Sequence, residues 1–225
     1  MHYRVALDGP AGAGKSSVAK AVAKKLGIVY VDTGALYRTL ALFANENGVD
    51  CKDEKNVLSI LDKAQVELKY VNGAQLVLLN GQDVSSKIRT PEISMGASDI
   101  SAIPKVREYL LELQRKIARE NCVIMDGRDI GTVILPDAEV KIFITASPEI
   151  RAKRRYDELI EKGQDVNYDD ILKDVLERDY NDSHRAVAPL KQADDAVLFD
   201  NSNYDLENSV TEVLNIIKKR IGVES

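Results

Sequence analysis

The sequence predicts an α/β protein: a five-stranded parallel sheet flanked by helices, with a small antiparallel β insert. Three observations carry that expectation. Short apolar runs rich in β-branched residues alternate with helical stretches from the N-terminus onward. A glycine-rich turn, Gly9 to Gly14, joins the first such run to the first helix. Two Asn-Gly steps, at 72–73 and 80–81, punctuate a stretch of alternating polarity that interrupts the α/β rhythm.

Tyr3 to Asp8 reads as a strand, and Lys15 to Leu26 as a helix that Gly27 stops. Ile28 to Val31 is too short and too β-branched for a helix, so it is a buried strand, and Thr33 to Gly48 returns to helical spacing. A short helix over 54–63 precedes strands at 66–70, 75–79 and 82–84, joined at the Asn-Gly steps. That meander supplies no strand to the main sheet, which marks 50–90 as an inserted subdomain in a single core spanning 1–225. Helices follow at 90–100 and from Pro104 to Glu120, then core strands at 122–126 and 140–144. Ser147-Pro148 is a cap followed by proline in the first turn, opening a helix to about Lys162. Tyr168 to His184 is helical, 196–200 is the fifth strand, and 205–221 closes the chain as an amphipathic helix.

The formal charge of −5 over 225 residues excludes a general nucleic-acid binder, whose affinity needs surplus cations. Apolar runs fall far short of the roughly 20 residues of a membrane span, and the first residues lack a signal-peptide apolar region. Cys51 and Cys122 fit no zinc spacing and read as reduced thiols, Cys122 in a core strand and Cys51 near a loop. These features place the chain in the cytoplasm. Two histidines leave almost no material for a His-ligated metal or a His-dependent triad.

Gly9-Pro10-Ala11-Gly12-Ala13-Gly14-Lys15-Ser16 fits G-x-x-x-x-G-K-[ST], and the strand before it and helix after it supply the context that motif needs. Small residues let backbone N–H groups turn around phosphate oxygens, and the helix N-terminus adds partial positive charge. Lys15 can reach the β/γ-phosphates of a nucleoside triphosphate, and the Ser16 hydroxyl can ligate Mg²⁺. The sheet is therefore of the phosphate-loop type. Further cations gather in a pattern: Arg151, Arg154 and Arg155 on one helix, Arg178 and Arg185 with Asp182 along a later stripe, and Arg38, Arg107 and Arg128 near element ends. Arginine's planar fork suits phosphate, so an acidic chain with this placement points to two polyanionic ligands. Asp126-Gly127-Arg128-Asp129 follows the third core strand, at the carboxyl edge where open α/β sheets bind ligands. Asp126 there is expected to be the carboxylate beside Mg²⁺.

The stretches GPAGAGKSS (9–17), VDTGALYR (31–38), SAIPKVRE (101–108), DGRDIGTVILPDA (126–138) and RDYNDSHRAVAPL (178–190) resemble the bacterial cytidylate kinase family, in the family's order across most of the chain. The meander at 66–84 is similar to the insert of that family's monophosphate-binding region. The resemblance implies transfer of the γ-phosphate of ATP to CMP or dCMP, in pyrimidine nucleotide metabolism. It implies that Gly9, Pro10, Ala11, Gly12, Ala13, Gly14, Lys15, Ser16 and Ser17 hold ATP, with Arg151, Arg154 and Arg155 in a short lid over 148–166. It further implies that Ser98, Arg107 and Asp129 read cytosine, that Arg178 and Asp182 meet the sugar, and that Arg38, Arg128 and Arg185 meet the phosphates, with Thr33 in the same acceptor set. Lys15, Arg128, Arg154 and Arg185 are the expected catalytic cations; Mg²⁺, bound as Mg-ATP, is the expected cofactor.

Phosphoryl transfer needs in-line positioning and cations rather than a covalent intermediate, and a monophosphate acceptor is already anionic, so no strong base is required. His184 accordingly reads as an incidental surface residue. The expected partners are the small-molecule substrates, with no nucleic-acid polymer, no membrane and a monomeric protein. A kinase for AMP, UMP, dTMP or shikimate would lack the cytosine-reading set, and a GTP switch would need an N-K-x-D stretch, which the sequence does not contain.

Overall fold

A computed structural model describes residues 2–71 and 74–222. The elements in chain order are β1 (Arg4–Asp8), α1 (Lys15–Leu26), β2 (Val29–Asp32), α2 (Thr33–Glu46), α3 (Glu54–Leu61), β3 (Val66–Val71), β4 (Ala74–Leu79) and β5 (Gln82–Asp83). They continue with α4 (Pro91–Ile100), α5 (Pro104–Glu120), β6 (Val123–Gly127), β7 (Val140–Thr145), α6 (Pro148–Glu161), α7 (Tyr168–His184), β8 (Val197–Asp200) and α8 (Leu206–Ile221). One sheet has five strands in the order β2-β6-β1-β7-β8, and a second has three in the order β3-β4-β5. β1 runs parallel to both β6 and β7, and β7 parallel to β8, whereas the small sheet is antiparallel. The predicted fold class is the observed one.

The chain divides into two compact units, Met1–Ile28 with Cys122–Ser225, and Val29–Asn121. In the first, all five residues of β6 are buried, as expected of a strand covered on both faces. α1 buries Lys15, Val18, Ala19, Val22 and Ala23, one face at helical spacing, and Gly27 ends it with φ 65°, its N–H bonded to the Ala23 carbonyl. The register sets Leu7 against Asp126 and Asp8 against Gly127, so the loops leaving β1 and β6 start side by side at the carboxyl edge.

In the second unit, Leu36, Leu40 and Ala44 of α2, Ile93 and Ile100 of α4, and Val106 and Leu110 of α5 build a core. Val66, Val77 and Leu79 of the small sheet pack into it, so the meander is anchored by its own apolar face. Asn80 and Gly81 have φ 50° and 80°, the two left-handed positions that the Asn-Gly hairpin turn requires. The other expected turn, Asn72-Gly73, lies outside the described residues.

Four details differ from the sequence reading. Ile130–Ile134 forms a π-helical turn, with Leu135 N–H on the Ile130 carbonyl and Ile134 N–H on that of Asp129. Lys87–Arg89 adds a short 3₁₀ turn. Arg185 is extended, with ψ 143°, just past the end of α7, so the stripe of Arg178, Asp182 and Arg185 is helical only in its first two members. Cys122 precedes β6 and is half-buried rather than packed in a core strand.

Candidate active site

Backbone geometry explains the glycines of the loop after β1. A Cβ on Gly9 would stand 1.9 Å from the Ile144 carbonyl oxygen, and Gly12, at φ 75°, would press its Cβ to 3.2 Å from that of Arg151. The loop's carbonyls have partners of their own. Lys15 Nζ donates to Pro10 O at 2.7 Å, Arg151 to Ala11 O at 2.9 Å, and Asn201 to Ala13 O at 3.0 Å. The amide N–H groups of the loop and of the first turn of α1 are the natural partners of an anion. Lys15 is only 5% exposed. Burial, then the nearby Arg128 charge, hold its pKa well below the usual lysine range against the pull of Asp126, Asp182 and Asp8. A polyanion beside it would offset that burial.

Ser16 Oγ donates to Asp126 Oδ2 at 2.6 Å, which joins the start of α1 to the end of β6. A hydroxyl and a carboxylate in contact are hard oxygen donors, and Mg²⁺ takes one or two such groups while keeping waters and phosphate oxygens in its remaining positions. The pair therefore fits Mg²⁺.

Sequence reasoning missed Asp8. Buried at the end of β1, its carboxylate accepts from Ile130 N–H at 2.8 Å and Gly131 N–H at 2.7 Å. It thereby pins the π-helical turn that follows Arg128 and Asp129. Its only sequence signal is a carboxylate ending an apolar strand. Burial, with the Asp129 charge, raises its pKa to about 6, against the two N–H bonds and Lys15. The folded chain thus keeps this proton up to about pH 6, while the unfolded chain releases it near the ordinary 3.8, so stability falls as pH rises through that window. Asp8→Asn cannot titrate and should lack that slope. Between pH 4 and pH 7 the unfolding free energy of the variant should gain on the parent by about 2 kcal/mol. Urea unfolding followed by circular dichroism at both pH values checks this, and parallel pH profiles would refute it.

Two ion pairs occupy the same edge of the first unit. Arg128 Nε lies 2.7 Å from Asp182 Oδ2, and Arg185 Nη2 lies 3.5 Å from Asp129 Oδ1. Burial works against the Asp182 charge, yet Arg128, with Arg178 and Arg185, holds its pKa below the usual carboxylate value. The structure thus brings together Lys15, Ser16, Asp126, Arg128, Asp129, Asp182 and Arg185 along the ends of β1, β6 and α7. The three arginines of α6 have separate surroundings. Arg151 is 2% exposed and braces the loop, bonding Ala11 O and Ala146 O while both terminal nitrogens grip Asp179. Arg154 bonds the Asn201 and Tyr204 carbonyls, and Arg155 pairs with Glu158 on its own helix. His184 is exposed and stacks on Tyr180 at 4.1 Å.

In the second unit, Asp32 caps α2 by accepting from Ala35 N–H at 3.0 Å, and its other oxygen accepts from Arg38 Nη2 at 2.7 Å. Thr33 is buried beside it. The Arg107 guanidinium lies over the Tyr37 ring, 5.5 Å from its centre, and donates to Ser101 O at 3.2 Å. The Ser101 hydroxyl in turn donates to Ser98 O at 2.8 Å, so Ser98 and Arg107 share the α4–α5 junction.

A family model described as cytidylate kinase matches residues 5–219. The cytidylate kinase of Caldicellulosiruptor saccharolyticus is 49% identical over 220 residues, covering 98% of this chain and 97% of that protein. That of Lactobacillus johnsonii is 51% identical over 217 residues, covering 96% and 94%. Among solved structures, an uncharacterized protein from Eubacterium ventriosum is 14% identical with a TM-score of 0.52, covering 96% of this chain and 99% of its own. A sugar kinase from Janibacter sp. HTCC2649 is 12% identical with a TM-score of 0.50, covering 100% and 99%. At that identity the two structures share the fold.

Proposed function

Because this chain belongs to the cytidylate kinase family of nucleoside monophosphate kinases, ATP-dependent phosphotransferases, we propose that it transfers the γ-phosphoryl group of ATP to CMP or dCMP, yielding ADP and CDP or dCDP. We take it to act as a cytoplasmic monomer on these small molecules. The observation that carries the reading is the cluster in one unit: a buried lysine in a phosphate loop, the Ser16–Asp126 pair, and Arg128 and Arg185 at the same edge.

Each group has work that follows from phosphoryl-transfer chemistry. The loop amides and Lys15 take the donor's β/γ-phosphates, where charge redistributes as the bond to the leaving oxygen lengthens. Ser16 and Asp126 would hold Mg²⁺, which supplies charge neutralisation at the same oxygens. Arg128 and Arg185 take the equatorial oxygens of the transferring group and the acceptor phosphate, leaving their carboxylate partners. Arg151, which also braces the loop, serves the donor end with Arg154 and Arg155. Thr33 and Arg38 take the acceptor phosphate, Arg178 and Asp182 the sugar, and Ser98, Arg107 and Asp129 the cytosine. The acceptor oxygen is an anion at neutral pH and attacks without a base.

ADP release from ATP, with CMP, dCMP, UMP and AMP offered separately, tests the reading. CMP and dCMP should turn over at least a hundredfold more efficiently than the other two. Removing Mg²⁺ with EDTA should abolish turnover, and excess Mg²⁺ should restore it. Preference for AMP or UMP would overturn the acceptor assignment.

A further inference from the structure

Gln75 lies on β4, opposite Tyr70 of β3, with its side chain turned to the end of β2. Its Oε1 accepts the Asp32 N–H at 2.9 Å, and its Nε2 donates to the Asp32 carbonyl at 3.5 Å. The side-chain amide thus exchanges both bonds with one residue, as a directly opposed residue does in an antiparallel ladder. Asp32 is in a demanding position. It ends β2 and caps α2 with one carboxylate oxygen, and it accepts from Arg38 with the other at 2.7 Å. The space is tight: a Cβ on Gly34 would stand 3.0 Å from an Arg38 terminal nitrogen and 3.2 Å from Asp32 Oδ1. Moving the Asp32 backbone therefore moves the carboxylate that aims Arg38.

We propose that Gln75 is a positioning residue for the acceptor's phosphate, holding the Asp32 backbone so that the Asp32 carboxylate presents the Arg38 guanidinium. The inference rests on the proposed role of Arg38 at that phosphate. It also gives the meander a task besides covering the core, because the only part of β4 that reaches the β2–α2 turn through its side chain, among the hydrogen bonds described, is this amide.

Phosphate is what separates CMP from cytidine, so the ratio of their dissociation constants isolates the effect. Both are measured by calorimetric titration or competition on the full chain, with KM for ATP alongside. Gln75→Ala should weaken CMP binding about threefold to tenfold while cytidine binding and KM for ATP stay within twofold. Gln75→Met keeps the length without either hydrogen bond and should show the same CMP-selective loss, so it carries the test if the alanine variant folds poorly. Equal weakening of CMP and cytidine would make Gln75 a structural brace and overturn the inference, as would no change in either. Arg38→Ala separates the two layers of argument. If it leaves the CMP-to-cytidine ratio intact, the phosphate role of Arg38 fails; if it collapses the ratio while Gln75→Ala does not, the role of Gln75 alone falls.

Discussion

Replacing Lys15 with alanine is expected to lower turnover about a thousandfold or more while CMP affinity stays within about twofold. Lys15 is buried, bonded to the Pro10 carbonyl, and set among Asp8, Asp126 and Asp182. Its neighbourhood therefore carries three carboxylates, and in the proposed function the lysine is a cation that lets a bound triphosphate join them. The acceptor's groups are assigned elsewhere, which is why CMP binding should survive. ADP release at saturating ATP and calorimetric titration with CMP measure the two quantities. Turnover within tenfold of the parent would remove the loop lysine from the mechanism.

Asp129→Ala should change which base is chosen. Cytosine offers an N4 amino donor beside N3 and O2 acceptors, and uracil offers an O4 acceptor beside an N3–H donor. A carboxylate suits the first pattern and faces O4 in the second, leaving buried polar groups unpaired at about 1–3 kcal/mol each. Sites of this kind separate ligands by about 10⁴-fold, beyond what shape alone achieves. The variant should lose about a thousandfold in kcat/KM for CMP and less than tenfold for UMP, so that the two substrates converge. The Arg185 partner of Asp129, 3.5 Å away, is lost for both bases alike, and the UMP arm controls for that loss. Equal losses with CMP and UMP would assign Asp129 to the phosphates or to structure.

What the sequence makes legible is what repeats locally. Strand and helix periodicity, the phosphate-loop spacing, the Asn80-Gly81 turn and the Ser147-Pro148 helix start are all set by neighbours a few residues apart. The features that escape it depend on distant partners. Asp8 and Gly131 lie 123 positions apart, and their bond sustains a π-helical turn that no propensity encodes. In the sequence Arg151 is one of three lid cations, and only Ala11, 140 positions away, and Asp179 reveal that it also braces the loop. Gln75 and Asp32 are 43 apart, and a glutamine in an alternating strand carries no signal of its own. The arginines and carboxylates at the site are legible one by one, but their pairing, Arg128 with Asp182 and Arg185 with Asp129, which sets their resting orientation, is not.

Chain length is constrained along β6 as firmly as residue identity. Side chains on a strand alternate between faces, and each residue advances it by about 3.3 Å. One residue inserted between Val123 and Asp126 would carry the Asp126 carboxylate to the opposite face and separate it from the Ser16 hydroxyl, now 2.6 Å away. The same slip would shift Gly127 from its place opposite Asp8, and with it the origin of the Arg128–Asp129 loop. A grafted or shuffled version of this sheet can therefore accept changes of composition within β6 more readily than a change of one in its residue count.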